Sequence, residues 1–208
     1  MDMTLFPTKG NLIIAKNTLN LCRQGYELLD KKRNILVREM MSLVEKAKKI
    51  QDEILQVFQE AYDALQDANV SMGISVVEQI GYAIPEETGI QIREQSVMGV
   101  EIPRVSFTSS PIQPQYGFRM TNAPLDIARL KFEHVKELTA ELAEIENAVY
   151  RLAVNIRRTV KRTNALKNIM IPKYEDITAS IANVLEEKDR EEFSRLKIIK
   201  EVKGKQER

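Results

Sequence analysis

His134 is the only histidine of the chain and Cys22 the only cysteine. A lone imidazole and a lone thiol far apart in sequence offer neither metal-ligand spacing nor a nucleophile with a base beside it. His134 stands between Glu133 and Glu137, the setting of an ordinary histidine on the flank of a helix. No glycine-rich loop ends in Lys-Ser or Lys-Thr, so the backbone cradle that holds nucleotide phosphates is missing. Glu186, Glu187, Glu191 and Glu192 are interleaved with Lys188 and Arg190, as on an ion-paired helix face and unlike two carboxyl groups sharing a cleft. The chain reads as a non-enzyme with no catalytic residue, no metal and no cofactor.

Charge is the chemistry that remains. The 208 residues carry a net charge of +1, but it is unevenly spread. Residues 51–101 hold ten acidic side chains and one basic one, Arg93, whereas 151–173 hold seven basic side chains and no acid. Blocks of this kind either form solvated faces or recognise charged partners. A single cysteine cannot close an internal disulfide and suits a reducing compartment. No apolar run approaches the ~20 residues that span a bilayer, and the amino terminus lacks a basic-then-apolar leader pattern, so membrane association is expected only through partners.

The elements that carry these charges are legible from the apolar spacing. Leu12, Ala15, Leu19, Cys22, Tyr26, Leu29, Arg33, Leu36, Met40, Leu43, Ala47, Ile50, Ile54, Val57, Ala61, Ala64 and Ala68 follow one another in steps of three and four, and only Arg33 is polar. Strict alternation of three and four is the seam of a coiled coil. Thr8 and Asn11 are candidate caps at the start. A helix of about 59 residues is about 88 Å long at 1.5 Å per residue, too long for a small core, so another helix must cover its stripe.

That cover begins near Asn122 and Pro124. Its seam reads Ala128, Lys131, Val135, Leu138, Leu142, Ile145, Val149, Leu152, Ile156, Thr159, Thr163, Leu166 and Met170. Pro172 lacks the amide needed to continue the ladder and predicts a kink or short break, after which Ile177, Ile181, Val184, Phe193, Leu196 and Ile199 resume a weaker stripe. The final Lys-Gly-Lys-Gln-Glu-Arg suggests fraying over 200–208. Between the helices, residues 70–122 contain five of the eight glycines and four of the seven prolines, which excludes one continuous helix. Ile90, Ile92 and Val97 before Met98-Gly99, and Val100, Ile102 and Val105 after it, alternate with polar residues as in a β-hairpin. Residues 109–121 read as irregular.

The expected fold is therefore mainly α: a long antiparallel two-helix coiled-coil hairpin with a small β-hairpin lobe inserted between the helices. Its parts are an N-terminal helix over 1–69, a connecting segment over 70–122 with the hairpin near 89–107, and a C-terminal helix over 123–208 kinked near Pro172. If residue 69 lies opposite residue 123, paired positions add to about 192. Arg33 then meets Thr159, with Thr163 a turn away, as a polar register layer. The same pairing sets 151–173 beside 19–41 and makes a basic collar. That collar could follow nucleic-acid phosphates, but it lacks interleaved aromatics and the chain is nearly neutral, so nucleic acid is not the expected partner.

Pro7-Thr8-Lys9, Gly25-Tyr26-Glu27-Leu28-Leu29-Asp30-Lys31-Lys32-Arg33, Met98-Gly99-Val100-Glu101-Ile102-Pro103, Arg162-Thr163-Asn164-Ala165-Leu166, Ile171-Pro172-Lys173-Tyr174 and Leu185-Glu186-Glu187-Lys188-Asp189-Arg190-Glu191-Glu192 stand in an order that resembles the D subunit of the archaeal and vacuolar-type rotary ATPases. The resemblance covers nearly the whole chain. It implies a non-catalytic central-stalk rotor, cytoplasmic and peripheral to the membrane, which transmits torque between a head of catalytic A and non-catalytic B subunits and the ion-translocating ring. The terminal helices enter the head; the loop end meets the small F subunit of the central stalk and the funnel-shaped subunit that caps the ring. On that basis Arg23, Lys31, Lys32, Arg38, Arg151, Arg157, Arg158, Lys161 and Arg162 are expected head contacts, and Ile90, Ile92, Val97, Val100, Ile102 and Val105 expected contacts at the stalk foot. A tethering coiled coil without a motor role is the competing expectation.

Overall fold

The computed structural model describes residues 6–85, 89–107, 116, 117, 119 and 121–206. Most of residues 109–121, expected to be irregular, lie outside that set. The elements run α1 (Lys9–Met72), α2 (Ile74–Gly81), β1 (Ile90–Val97), β2 (Val100–Phe107), α3 (Ala123–Ala165), a π turn (Leu166–Met170) and α4 (Ile171–Gln206). The chain is thus mainly α, with one two-stranded antiparallel sheet inserted between long helices.

Helix α1 starts at a side-chain cap: the Asn11 amide donates to Thr8 Oγ1 at 3.2 Å. It stops at Gly73, whose φ of +87° leaves the helical region while its amide still reaches Asn69 O at 2.9 Å. Helix α3 opens with Leu125 N–H donating to Asn122 O at 3.0 Å, and Pro124 occupies the first turn, where a missing amide costs nothing. Helix α4 runs to Gln206. Residues 207–208 lie outside the described set.

The break foreseen near Pro172 is a π turn just before it. Pro172 has no amide to offer the carbonyl four residues back and its ring crowds that carbonyl. The ladder widens by one residue instead, and Ile171 N–H donates to Leu166 O, five positions earlier.

The fold divides into two compact units, one of Met1–Arg33 with Arg157–Arg208 and one of Asn34–Ile156. In the first, the ion pairs Arg23–Glu175 at 2.6 Å and Lys9–Asp189 at 3.7 Å link α1 to α4 running the opposite way. Seam residues Ala15 and Cys22 of α1 are buried, as are Thr159, Thr163 and Ile181. In the second, the Glu60–Lys131 ion pair and the edge-to-face contact of Tyr62 with Phe132, ring centres 5.6 Å apart, link α1 to α3 antiparallel. Here Leu36, Ile50, Ile54, Ala61 and Ala68 are buried, with Ala128, Val135, Leu138, Ile145 and Leu152 of α3. Within each unit the paired numbers add to within a turn or two of about 192.

The hairpin belongs to the second unit and turns over two residues, with Val97 paired to Val100. Met98 has φ +51° and Gly99 φ +74°, the both-positive pair of a type I′ turn. Two strands alone are marginal in water. They are held by a core in which Val100 and Ile102 pack with Leu36 of α1 and Ala148 and Leu152 of α3, flanked by Met40, Leu43, Val97 and Ile156.

Candidate interaction surfaces

The hairpin does not sit at the ends of the helices it connects. Its turn lies beside Tyr150, Arg151, Val154 and Asn155 of α3, and Leu152 is on the order of 40 Å along the helix from Ala123 at 1.5 Å per residue. Docking is polar as well as apolar. In an antiparallel ladder the residues of non-hydrogen-bonded pairs direct their backbone groups away from the partner strand. Counting from the closing pair Val97–Val100, these are Glu101, Pro103, Val105 and, at the strand end, Phe107 on β2. Glu101 O accepts from Arg151 Nη1 at 3.2 Å, Pro103 has no amide to satisfy, and Val105 N–H donates to Glu144 Oε2 at 2.6 Å. Glu144 and Arg151 are seven residues apart, two turns along one face of α3, so a single helix face closes the outer edge of β2 from Glu101 to Val105.

This arrangement divides the six apolar hairpin residues between two faces. Cross-strand partners share a face, so Val97, Val100 and the Gln95–Ile102 pair lie together, toward the helices, with Val100 and Ile102 buried and Val97 half-buried. Ile90, Ile92 and Val105 fall on the opposite face with Phe107; Ile90 is 49% and Ile92 69% exposed, and Val105 and Phe107 are half-buried. The signal was present in the spacing. Ile92 to Val97 and Ile102 to Val105 are odd steps, and an odd step along a strand changes face. The contribution of Glu144 had no sequence signal, because a carboxylate on a helix flank is indistinguishable there from a solvated one.

The basic residues are placed as follows. In the first unit Arg23, Lys31, Arg157, Arg158, Lys161 and Arg162 are exposed and Lys32 is half-buried. Arg23 is taken by Glu175. Among the described residues, Lys31, Lys32, Arg157, Arg158, Lys161 and Arg162 form no ion pair, leaving a set of six uncompensated cations. In the second unit Arg38 is exposed, while Arg151 is engaged with the hairpin through Glu101 O and, at 3.8 Å, Glu94. Arg33 pairs with Asp30 at 2.6 Å and is about a third exposed. Thr159 and Thr163 are buried, and Thr163 Oγ1 donates to Thr159 O at 2.9 Å, so that hydroxyl is satisfied within its own helix.

Two further surfaces are apolar and exposed: one on α2, outside both seams, and one that includes Phe193, Leu196 and Ile199 of the weaker stripe after Pro172. Toward the loop end, α2 has no buried residue, and Val70 and Ile74 line a shallow hollow with Tyr62, Leu65, Gln66 and Asn69. Near the carboxyl end Phe193, Leu196, Ile198, Ile199 and Val202 are all more than half exposed. Helical spacing of Ile74, Val77 and Ile80 after Gly73 was the available signal for α2. No helix among the described residues is long and apolar enough to cross a membrane, and no group of three or more His, Cys, Asp or Glu among them could hold a metal ion.

Comparison with known proteins covers nearly the full length of the chain. The family model that describes the D subunit of ATP synthase matches residues 11–201. The D subunit of the V-type ATP synthase of Thermotoga neapolitana is 46% identical over 199 residues, covering 96% of this chain and 98% of that protein. The D subunit of the A-type ATP synthase of Thermococcus kodakarensis is 34% identical, covering 93% and 92%. That of Methanobrevibacter smithii is also 34% identical, covering 93% of this chain and 85% of the relative.

Proposed function

Because the chain belongs to the family of ATP synthase D subunits, and so to the components of V-type and A-type rotary ATPases, we propose that it is the non-catalytic rotor shaft, transmitting torque between the ATP-converting head and the membrane ring. The observation that carries this reading is the set of six cations on the first unit, five exposed and one half-buried, that form no intrachain ion pair among the described residues. A shaft that turns inside a ring of subunits cannot make one deep attachment to any of them. Charge attraction acts over roughly a Debye length, about 8 Å at physiological salt, and can pass from one acidic loop to the next without unpacking a core. Lys31, Lys32, Arg157, Arg158, Lys161 and Arg162 serve that role, whereas Arg23 and Arg151 are already engaged within the chain and Arg38 belongs to the second unit.

The head is formed by the A and B subunits, and the apolar carboxyl end of α4, from Phe193 to Val202, enters it. Ile90, Ile92 and Val105 meet the F subunit through the outward hairpin face, while Val97, Val100 and Ile102 act indirectly by holding that face in place. The hollow around Val70 and Ile74 faces the funnel-shaped ring cap. Arg33, Thr159 and Thr163 fix the register of α1 against its partner helix. The protein lies on the cytoplasmic side and reaches the membrane only through these partners.

The test is charge reversal of Lys31, Lys32, Arg157, Arg158, Lys161 and Arg162 to Glu in the assembled enzyme. ATP hydrolysis is expected to continue while rotation of a probe on the shaft, and ion pumping, are lost. Unchanged coupling at full assembly overturns the proposal. A tethering coiled coil is distinguished by a fixed probe that never rotates although the chain co-purifies with the catalytic subunits.

A further inference from the structure

The backbone weak points of the first unit coincide at one level. Between Gly10 near its start and Met72 at its end, α1 contains one glycine, Gly25, and no proline. A helix-interior glycine has the largest conformational freedom of any residue and the least helical preference after proline. The opposing helix is regular through Ala165 and again from Ile171, with the π turn Leu166–Met170 between. The two features touch: a Cβ at Gly25 would lie 3.7 Å from Leu166 Cδ1, the first residue of that turn. Lys167 Nζ stands 6.0 Å from the centre of the Tyr26 ring, and Arg23 reaches Glu175 at 2.6 Å, just beyond the turn. Ile169 within the turn is 62% exposed.

We propose that Gly25 and the Leu166–Met170 π turn form a compliant joint, the level at which this helical pair twists or bends most readily under load. Each helix is weakest where the other is weakest, so deformation meets the least resistance there. The π turn lacks the regular four-residue ladder, and Pro172 withholds an amide from the carbonyl of Asn168. Gly25, with no Cβ, permits a local change of φ and ψ in α1 that any other residue resists. Across this level the ties are of a kind that tolerate motion: the Arg23–Glu175 pair is about half exposed on both sides and the Lys167–Tyr26 contact is at long range. No volume prevents a methyl group at Gly25, since 3.7 Å is an ordinary contact distance. Glycine is therefore not demanded by packing, and the freedom it brings is the feature to be explained.

The joint rests partly on the rotor reading, because elastic strain matters only if the helices carry load. Two measurements separate the ideas. Amide hydrogen exchange on the full-length chain, as expressed, compares the wild type with Gly25→Ala, Pro172→Ala, the double variant and Gly10→Ala as a control substitution elsewhere in α1. In the wild type, amides of 166–173 exchange faster than those of 152–159; Pro172→Ala slows exchange of the turn about tenfold, Gly25→Ala slows 22–28, and Gly10→Ala changes neither. Equal exchange at 166–173 and 152–159 in the wild type overturns the joint, whatever the protein does in a motor. In the assembled ATPase arrested without nucleotide turnover, the angular spread of a probe on the shaft narrows in the double variant and keeps its width in Gly10→Ala. An unchanged spread in the double variant overturns compliance at this level. A probe that never rotates in the wild type overturns the rotor reading alone and leaves the exchange result to decide the joint.

Discussion

The carboxylate of Glu144, on α3, accepts the backbone amide of Val105, on β2, at 2.6 Å, thirty-nine positions earlier in the chain. Together with Arg151 on Glu101 O, this contact turns one edge of a two-stranded ribbon from an open edge into a docked one. The face of the hairpin left outside is the one carrying Ile90 and Ile92.

Glu144→Ala leaves a half-buried amide without its acceptor and is expected to lower stability by about 1–3 kcal/mol, as for other charge-assisted bonds. Faster amide exchange over Val100–Phe107 with the helices unaffected is the signature. Glu144→Gln keeps an acceptor and should recover most of the loss. Equal loss in both variants excludes the hydrogen bond as the cause.

The core under the hairpin makes a second test. Leu36 and Leu152 are fully buried, so Leu36→Ala or Leu152→Ala should cost about 2–5 kcal/mol through lost transfer energy and the remaining cavity. Leu55→Ala, at a site 68% exposed, should change stability far less in the same denaturation experiment.

Met98 sits at φ +51°, where a side chain with a Cβ is disfavoured by about 1–2 kcal/mol. Met98→Asn, better suited to the first position of a type I′ turn, should raise the thermal midpoint and slow exchange across the Val97–Val100 pair. A lowered midpoint would show that the Met98 side chain has a contact worth more than the backbone strain.

Glu60 is held below its ordinary pKa of 4.5, chiefly by the hydrogen bond from Lys131 and then by that cation's charge. A carboxylate with a depressed folded pKa binds protons less readily than in the unfolded chain. Its contribution is therefore present above pH 4.5 and disappears as pH falls through the folded value. Glu60→Gln should be the less stable protein at pH 7, with the small difference closing under acid. A difference constant from pH 7 down to pH ~2 would assign the effect to helix propensity instead.

Much of the fold was legible from spacing because long helices are governed by a local period. Each of α1 and α3 repeats its apolar residues along one face, and the position of Met98-Gly99 marks a two-residue turn irrespective of surroundings. The seam also contained its own register: the apolar pattern aligns Ala61 and Ala68 of α1 with the early part of α3, and Glu60 does meet Lys131. The π turn was visible as the effect of Pro172, though not its direction, since a missing amide can be accommodated by a kink, a break or one extra residue in the turn.

The sequence by itself determined the long helices, the β-hairpin, the antiparallel pairing and the family, because these follow from periodicity, capping and residue type along the chain. Only the tertiary structure decided where the hairpin lies, which of its two faces packs on Leu36 and Leu152, and which cations keep their charge free. Those outcomes depend on contacts between residues far apart in sequence, such as Val105 with Glu144 and Arg23 with Glu175, and a local pattern carries no information about which distant side chain will satisfy a backbone amide or neutralise a guanidinium.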